Sequence, residues 1–187
     1  MSLTINFELS QADLELFYQA MLQVRENARG KSLSEVTDGA RQLLVEINHA
    51  DTTDFIRDRM GQLEILIDMV TDEAWRLEDE DLERAVTALA YFCEPADLIP
   101  DDIPGLGYLD DAIMIEIISQ ELEPEIQALK EFVAYRASEA VRNGQDIQTL
   151  QKADWLEKRR RQLHSRMRRR RRSRSGGTRA KSPFSLL

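Results

Sequence analysis

A single cysteine, Cys93, stands in the whole 187-residue chain. It cannot close an intrachain disulfide, so a disulfide-stapled secreted fold is excluded. Glycine (8) and proline (5) are sparse and aromatics make up only 6%, which favours helices over a β-sandwich. No stretch approaches the ~18 consecutive apolar residues that would mark a membrane span. The N-terminus, MSLTINFELS, has no cationic start and no apolar run, so it does not read as a signal peptide. There is no G-x-S-x-G, P-loop, G-x-G-x-x-G or C-x-x-C. His49 and His164 lie far apart, with no partner at metal-ligand spacing. A cytoplasmic helical protein without a familiar catalytic constellation is the expectation.

What the chain has is charge, unevenly placed. The formal net charge is -9. Residues 152–187 hold fourteen of the 25 cations but only two of the 34 carboxylates, Asp154 and Glu157. That segment is therefore +12 and the remainder -21. An acidic body with a basic tail points to an anionic partner for the tail.

Apolar spacing of three and four predicts about six helices. Ser10 and Asp13 form a cap pair ahead of Leu14, Phe17 and Met21, and Gly30 is placed to close that helix. Ser32 and Glu35 cap a second helix carrying Val36, Ala40, Leu43 and Ile47. Thr53 precedes a third, with Ile56, Met60, Leu63 and Ile67. Residues 78–81 (EDED) suit the positive end of a fourth, whose stripe reads Leu82, Ala85, Val86 and Leu89. Residues 112–118 (AIMIEII) are apolar nearly all round, which marks a buried fifth helix. A sixth runs to about Asn143–Gly144. The expected fold is an all-α, compact bundle over residues 1–145, followed by a basic tail over 146–187. Residues 147–167 form only a poor stripe, and from Arg168 onward the like charges predict disorder.

Between the fourth and fifth helices lies EPADLIPDDIPGLG, residues 94–107. Its prolines and glycines forbid a regular helix, and Pro95, Pro100, Pro104, Gly105 and Gly107 define a structural turn. Leu98, Ile99, Ile103 and Leu106 are apolar, so the turn should pack against the core. The run from Tyr91 to Ala112, with its PADLIPDDIPGLGYLDD, resembles the YkvA-like family, a bacterial domain of unknown function. The resemblance covers roughly residues 84–125. It implies a small helical unit with a buried turn between two helices, and it supplies no activity. Many members carry a more apolar helix after the signature and look membrane-associated. Here Glu116, Ser119 and Gln120 interrupt that helix.

Three features could carry chemistry. Between Arg84 and Lys130 there are ten carboxylates and no Lys, Arg or His. Asp97, Asp101, Asp110 and Asp111 could hold a divalent cation such as Mg²⁺, Mn²⁺ or Ca²⁺, which take oxygen ligands. The plainer reading makes Asp97, Asp101 and Asp110 helix caps and turn acceptors. Glu116 either pairs with Arg84 or Arg136 in the core, points into the acidic site, or lies on a narrow solvent strip, the last being preferred. Cys93 is expected to be an inert core residue.

The third feature is the tail. Arg159, Arg160, Arg161, Arg166, Arg168, Arg169, Arg170, Arg171, Arg172 and Arg174 could bind a polyanion such as RNA or DNA through charge and forked hydrogen bonds. Trp155 and Phe184 could add stacking. The tail could instead fold back on the acidic body, or simply solubilise it. The preferred reading is a non-enzymatic interaction or adaptor module, with a protein partner for the acidic body and a polyanion on the tail. One alternative is a metal-dependent enzyme or metal-regulated module built on the acidic turn. Another is a peripheral membrane protein attached through the tail to anionic lipid.

Overall fold

Caps written into the sequence set the first three helix starts. Ser32 Oγ accepts from the Glu35 N–H while the Glu35 carboxylate accepts from the Ser32 N–H, a complete capping box. Ser10 and Asp13 repeat the arrangement one helix earlier. Thr53 Oγ1 accepts from the Ile56 N–H. A computed structural model describes residues 8–27, 31–93, 99, 101, 103, 106–144 and 154–175. Among these there are seven α-helices and no strand.

The helices are α1 (Gln11–Asn27), α2 (Leu33–His49), α3 (Asp54–Thr71), α4 (Asp79–Leu89), α5 (Leu109–Glu121), α6 (Glu123–Asn143) and α7 (Asp154–Ser175). A 3-10 turn over Ala90–Cys93 extends α4. The six body helices follow the sequence reading, and α6 ends at Gly144 in the left-handed conformation (φ 58°) that glycine tolerates best.

The core is one cluster built from α1 to α7. α3, with Ile56, Leu63 and Leu66 fully buried, packs against α5, whose Met114, Ile115 and Ile118 are fully enclosed. Trp75, in the turn between α3 and α4, is completely buried. Its ring centroid lies 5.2 Å from that of Phe132 on α6 and 4.3 Å, edge to face, from that of His164 on α7. That one indole therefore ties the basic helix to the body.

One sequence expectation is extended and another corrected. The predicted α4 stripe does face the core, with Ala85 and Leu89 buried and Leu82 and Val86 partly buried against it, but the buried side also takes in Asp81, Arg84 and Ala88, which the apolar pattern did not show. The tail is not disordered from Arg168, because α7 continues to Ser175. Repulsion among its arginines is offset by carboxylates of the body. Its apolar residues Leu156, Leu163 and Met167, spaced by seven and four, are each 1% exposed and do form a stripe. Residues 176–187, with Phe184, lie outside the described residues, as does Gly30.

Candidate functional site

α7 has two faces because 3.6 residues make a turn. Leu156, Arg160, Leu163, His164, Met167 and Arg171 recur at helical spacing on the side toward the body. Lys158, Arg161, Ser165, Arg169 and Arg172 recur on the opposite side and are exposed.

The inward arginines grip the acidic body. Arg171 donates to Asp81 Oδ1 at 2.5 Å and to Glu125 Oε1 at 3.0 Å. Both carboxylates are almost completely enclosed. Arg84, itself buried, reaches the same Glu125 oxygen at 2.9 Å and Glu121 at 3.7 Å. Glu125 thus bridges an arginine from α4 and one from α7. Arg168 adds Glu78 at 2.8 Å and Asp81 at 3.5 Å. Arg174 pairs with Glu123, and Arg166 with Glu131. Burial works against the charge on Arg171, but Asp81 and Glu125 outweigh it and raise the affinity of its guanidinium for the proton. The hydrogen bond from Arg166 holds the Glu131 carboxyl below its usual range.

Nearer the start of α7, Glu157 receives Arg160 at 2.6 Å and Arg161 at 2.9 Å. Arg159 lies 3.8 Å from Glu131 and donates to Gln162 at 3.0 Å. Of the ten arginines singled out in the sequence, Arg169, Arg170 and Arg172 are exposed and form no ion pair among the described residues. Trp155 stacks edge-on against Tyr135, with centroids 5.7 Å apart.

The acidic turn is placed only in part. Asp97, Pro95, Pro100, Pro104 and Gly105 lie outside the described residues. Asp110, in the first turn of α5 and 1% exposed, accepts a hydrogen bond from the Ile99 N–H at 3.1 Å. That is the turn-acceptor role the plainer reading gave it. Asp111 is also buried, and Asp101 half-buried. Among the described residues, no group of three or more His, Cys, Asp or Glu side chains could hold a metal ion. Gly107 is buried against the Asp101 carbonyl, so tightly that a Cβ there would sit 2.2 Å from that oxygen. Tyr108 follows with φ 63° and leads directly into α5.

The remaining residues fall simply. Glu116 is on a half-exposed strip and pairs with Arg59 at 3.3 Å, not with Arg84 or Arg136. Arg136 instead binds Asp72 at 2.7 Å. His49 ends α2, its Nδ1 2.7 Å from the Val45 carbonyl. Cys93 is half-buried and its thiol lies 3.2 Å from the Val36 carbonyl.

The α4–turn–α5 unit is what other proteins share with this chain. Residues 84–117 match the family described as Protein of unknown function (DUF1232). This is the YkvA-like family whose signature the turn resembles. The match takes in Arg84, the acidic turn and most of α5, and leaves α7 outside it. No curated protein and no solved structure matches the chain. No helix among the described residues is long and apolar enough to cross a membrane.

Sequence reasoning missed the Asp81–Arg84–Glu125–Arg171 network and the burial of His164. A signal for the first was present. Asp81 and Arg84 share a helix face with Ala85 and Ala88, and small residues beside charges can mark a close, charged contact. No local pattern could have named Arg171 as the partner, because it lies 90 residues from Asp81.

Proposed function

We propose that the protein is a non-enzymatic polyanion-binding module that presents the outer face of α7 to the phosphates of a nucleic acid. The observation that carries this is the division of labour along one helix. Arg166, Arg168, Arg171 and Arg174 hold carboxylates of the body, while Arg169, Arg170 and Arg172 stand exposed. The inner arginines order the helix. Arg169 and Arg172, with Lys158 and Arg161, form a cationic ridge that is already organised before any ligand arrives, and Arg170 stands exposed beside it on the flank toward Glu131. Preorganisation lowers the entropy lost on binding, which a flexible arginine tail would incur in full.

Binding through phosphates is steeply salt dependent, because each neutralised phosphate releases a counterion. Fluorescence anisotropy of labelled RNA and DNA against the full chain gives that slope. Replacing Arg169, Arg170 and Arg172 together by alanine should reduce its magnitude by about 3 on duplex DNA, near 0.9 per contact. An unchanged slope, or no binding near 50 mM salt, would overturn the reading. Binding to anionic vesicles without binding to nucleic acid would replace it with the membrane alternative.

A further inference from the structure

A cavity of about 470 Å³ opens where α7 meets the start of α4. Arg76, Arg160, Arg161, Glu157 and His164 line it, together with Glu78 and Asp79. Three guanidiniums converge there on one carboxylate: Arg160 at 2.6 Å, Arg161 at 2.9 Å and Arg76 at 3.8 Å from Glu157. Glu78 across the cavity is held by Arg168 at 2.8 Å. The arginine cluster therefore has more positive charge than its shared carboxylate neutralises. Burial, and then the like charges of Arg76 and Arg161, draw the Arg160 guanidinium below its usual value in spite of Glu157.

His164, 2% exposed, forms part of the cavity wall, with its Nδ1 3.9 Å from Glu78. Arg76 reaches this place from a backbone at φ 40°, a conformation that a non-glycine residue adopts rarely.

We infer that this cavity binds a phosphate group, free or carried by a small ester, which displaces the Glu157 carboxylate from Arg76, Arg160 and Arg161. A phosphate offers three or more acceptor oxygens to three forked donors, where one carboxylate offers two. The volume falls in the ordinary range for small-molecule sites, ~300–1,000 Å³, so there is room for an organic group beyond the phosphate. Asp79 and Glu78 are the carboxylates that oppose the ligand, Glu78 being paired with Arg168. The inference rests on residues distinct from the outer ridge except for Arg161, and it stands whether or not nucleic acid binds.

Isothermal titration of the full chain at fixed ionic strength, with inorganic phosphate and separately with adenosine monophosphate, tests it. Saturable binding of either probe is expected. Arg76→Ala, a change at an exposed side chain, should weaken it about tenfold. Glu157→Gln and Asp79→Asn should tighten it, since each removes a competing carboxylate. The triple alanine change at Arg169, Arg170 and Arg172 should leave it in place. Equal affinity for both probes would support free phosphate as the ligand; preference for the monophosphate would support an ester. No saturable binding to either the native chain or Glu157→Gln overturns the inference. So does an equal loss in Arg76→Ala and in the outer triple variant, which would mean diffuse attraction to α7.

Discussion

Arg171→Ala separates a structural clasp from a decorative ion pair. In the native chain Arg171 meets Asp81 at 2.5 Å and Glu125 at 3.0 Å, and both carboxylates are enclosed. Removing one partner of a buried pair costs about 3–5 kcal/mol when the other charge is stranded. Here neither is fully stranded. Asp81 keeps Arg168 at 3.5 Å, and Glu125 keeps Arg84 at 2.9 Å. The expected loss is therefore about 2 kcal/mol. For a chain of this length that lowers the thermal midpoint by about 4–8 °C. The control is Arg174→Ala, whose pair with Glu123 is half-exposed on both sides. Such pairs contribute about 0–1 kcal/mol and are screened by salt. Arg171→Lys, which keeps the charge but loses the fork, should fall between the two. Melting all three by circular dichroism, at low salt and again near 1 M salt, gives the comparison. A loss in Arg171→Ala no larger than in Arg174→Ala would refute the account of the clasp.

The other predictions concern single sites. His164 takes its proton at about 4 rather than 6.5, because burial disfavours its charge, Arg160 and Arg168 oppose it, and Glu78 and Asp81 only partly compensate. Its folded-state affinity is depressed, so stability is full above pH ~6.5 and is lost as the pH falls toward ~4. The linked loss is about 2–3 kcal/mol. Denaturant titrations at pH 7 and pH 5 should show a smaller difference in His164→Gln; an equal difference would contradict the assignment. Gly39→Ala would place a Cβ 2.5 Å from the Cys93 sulfur and 3.1 Å from its Cβ. The clash, at about 1–3 kcal/mol, should outweigh the ~1 kcal/mol that alanine gains in a helix, and a raised midpoint would show that this contact relaxes freely. Asp110→Asn weakens the acceptor for the Ile99 N–H and should lower stability by about 1–3 kcal/mol. That loss should be the same in EDTA and in Mg²⁺; a loss seen only with the ion present would restore the metal reading of the acidic turn.

Much of the fold was legible because its rules are local. Ser32 with Glu35, and Ser10 with Asp13, announce helix starts four residues at a time, and the structure places them as caps. Gly144 announces an end. The turn before α5 was legible as a Pro/Asp/Gly segment, and Gly107 shows why no larger residue fits. What was not legible is long-range. The burial of Asp81 depends on an arginine 90 residues away, and a charged residue on its own predicts an exposed face. The tail was misread for the same reason. Five consecutive arginines repel one another in isolation; carboxylates at the start of α4 and on α6, together with the buried Leu156, Leu163 and Met167, offset that repulsion. His164 was set aside for lack of a sequence neighbour. Its environment comes from Trp75 in a distant turn and from arginines on its own helix.

The division of α7 into an inner clasp and an outer ridge is tested most directly by two triple variants measured side by side. In one, Arg169, Arg170 and Arg172 become alanine; in the other, Arg168, Arg171 and Arg174 do. RNA affinity and thermal midpoint are read for both. The outer variant should lose affinity and keep the native midpoint. The inner variant should lose several degrees, about 2–4 °C for each kcal/mol, and still bind RNA below its midpoint. The same loss of affinity in both, with neither midpoint moved, would contradict the account, because α7 would then be a basic segment whose docking on the body has no part in stability or in recognition.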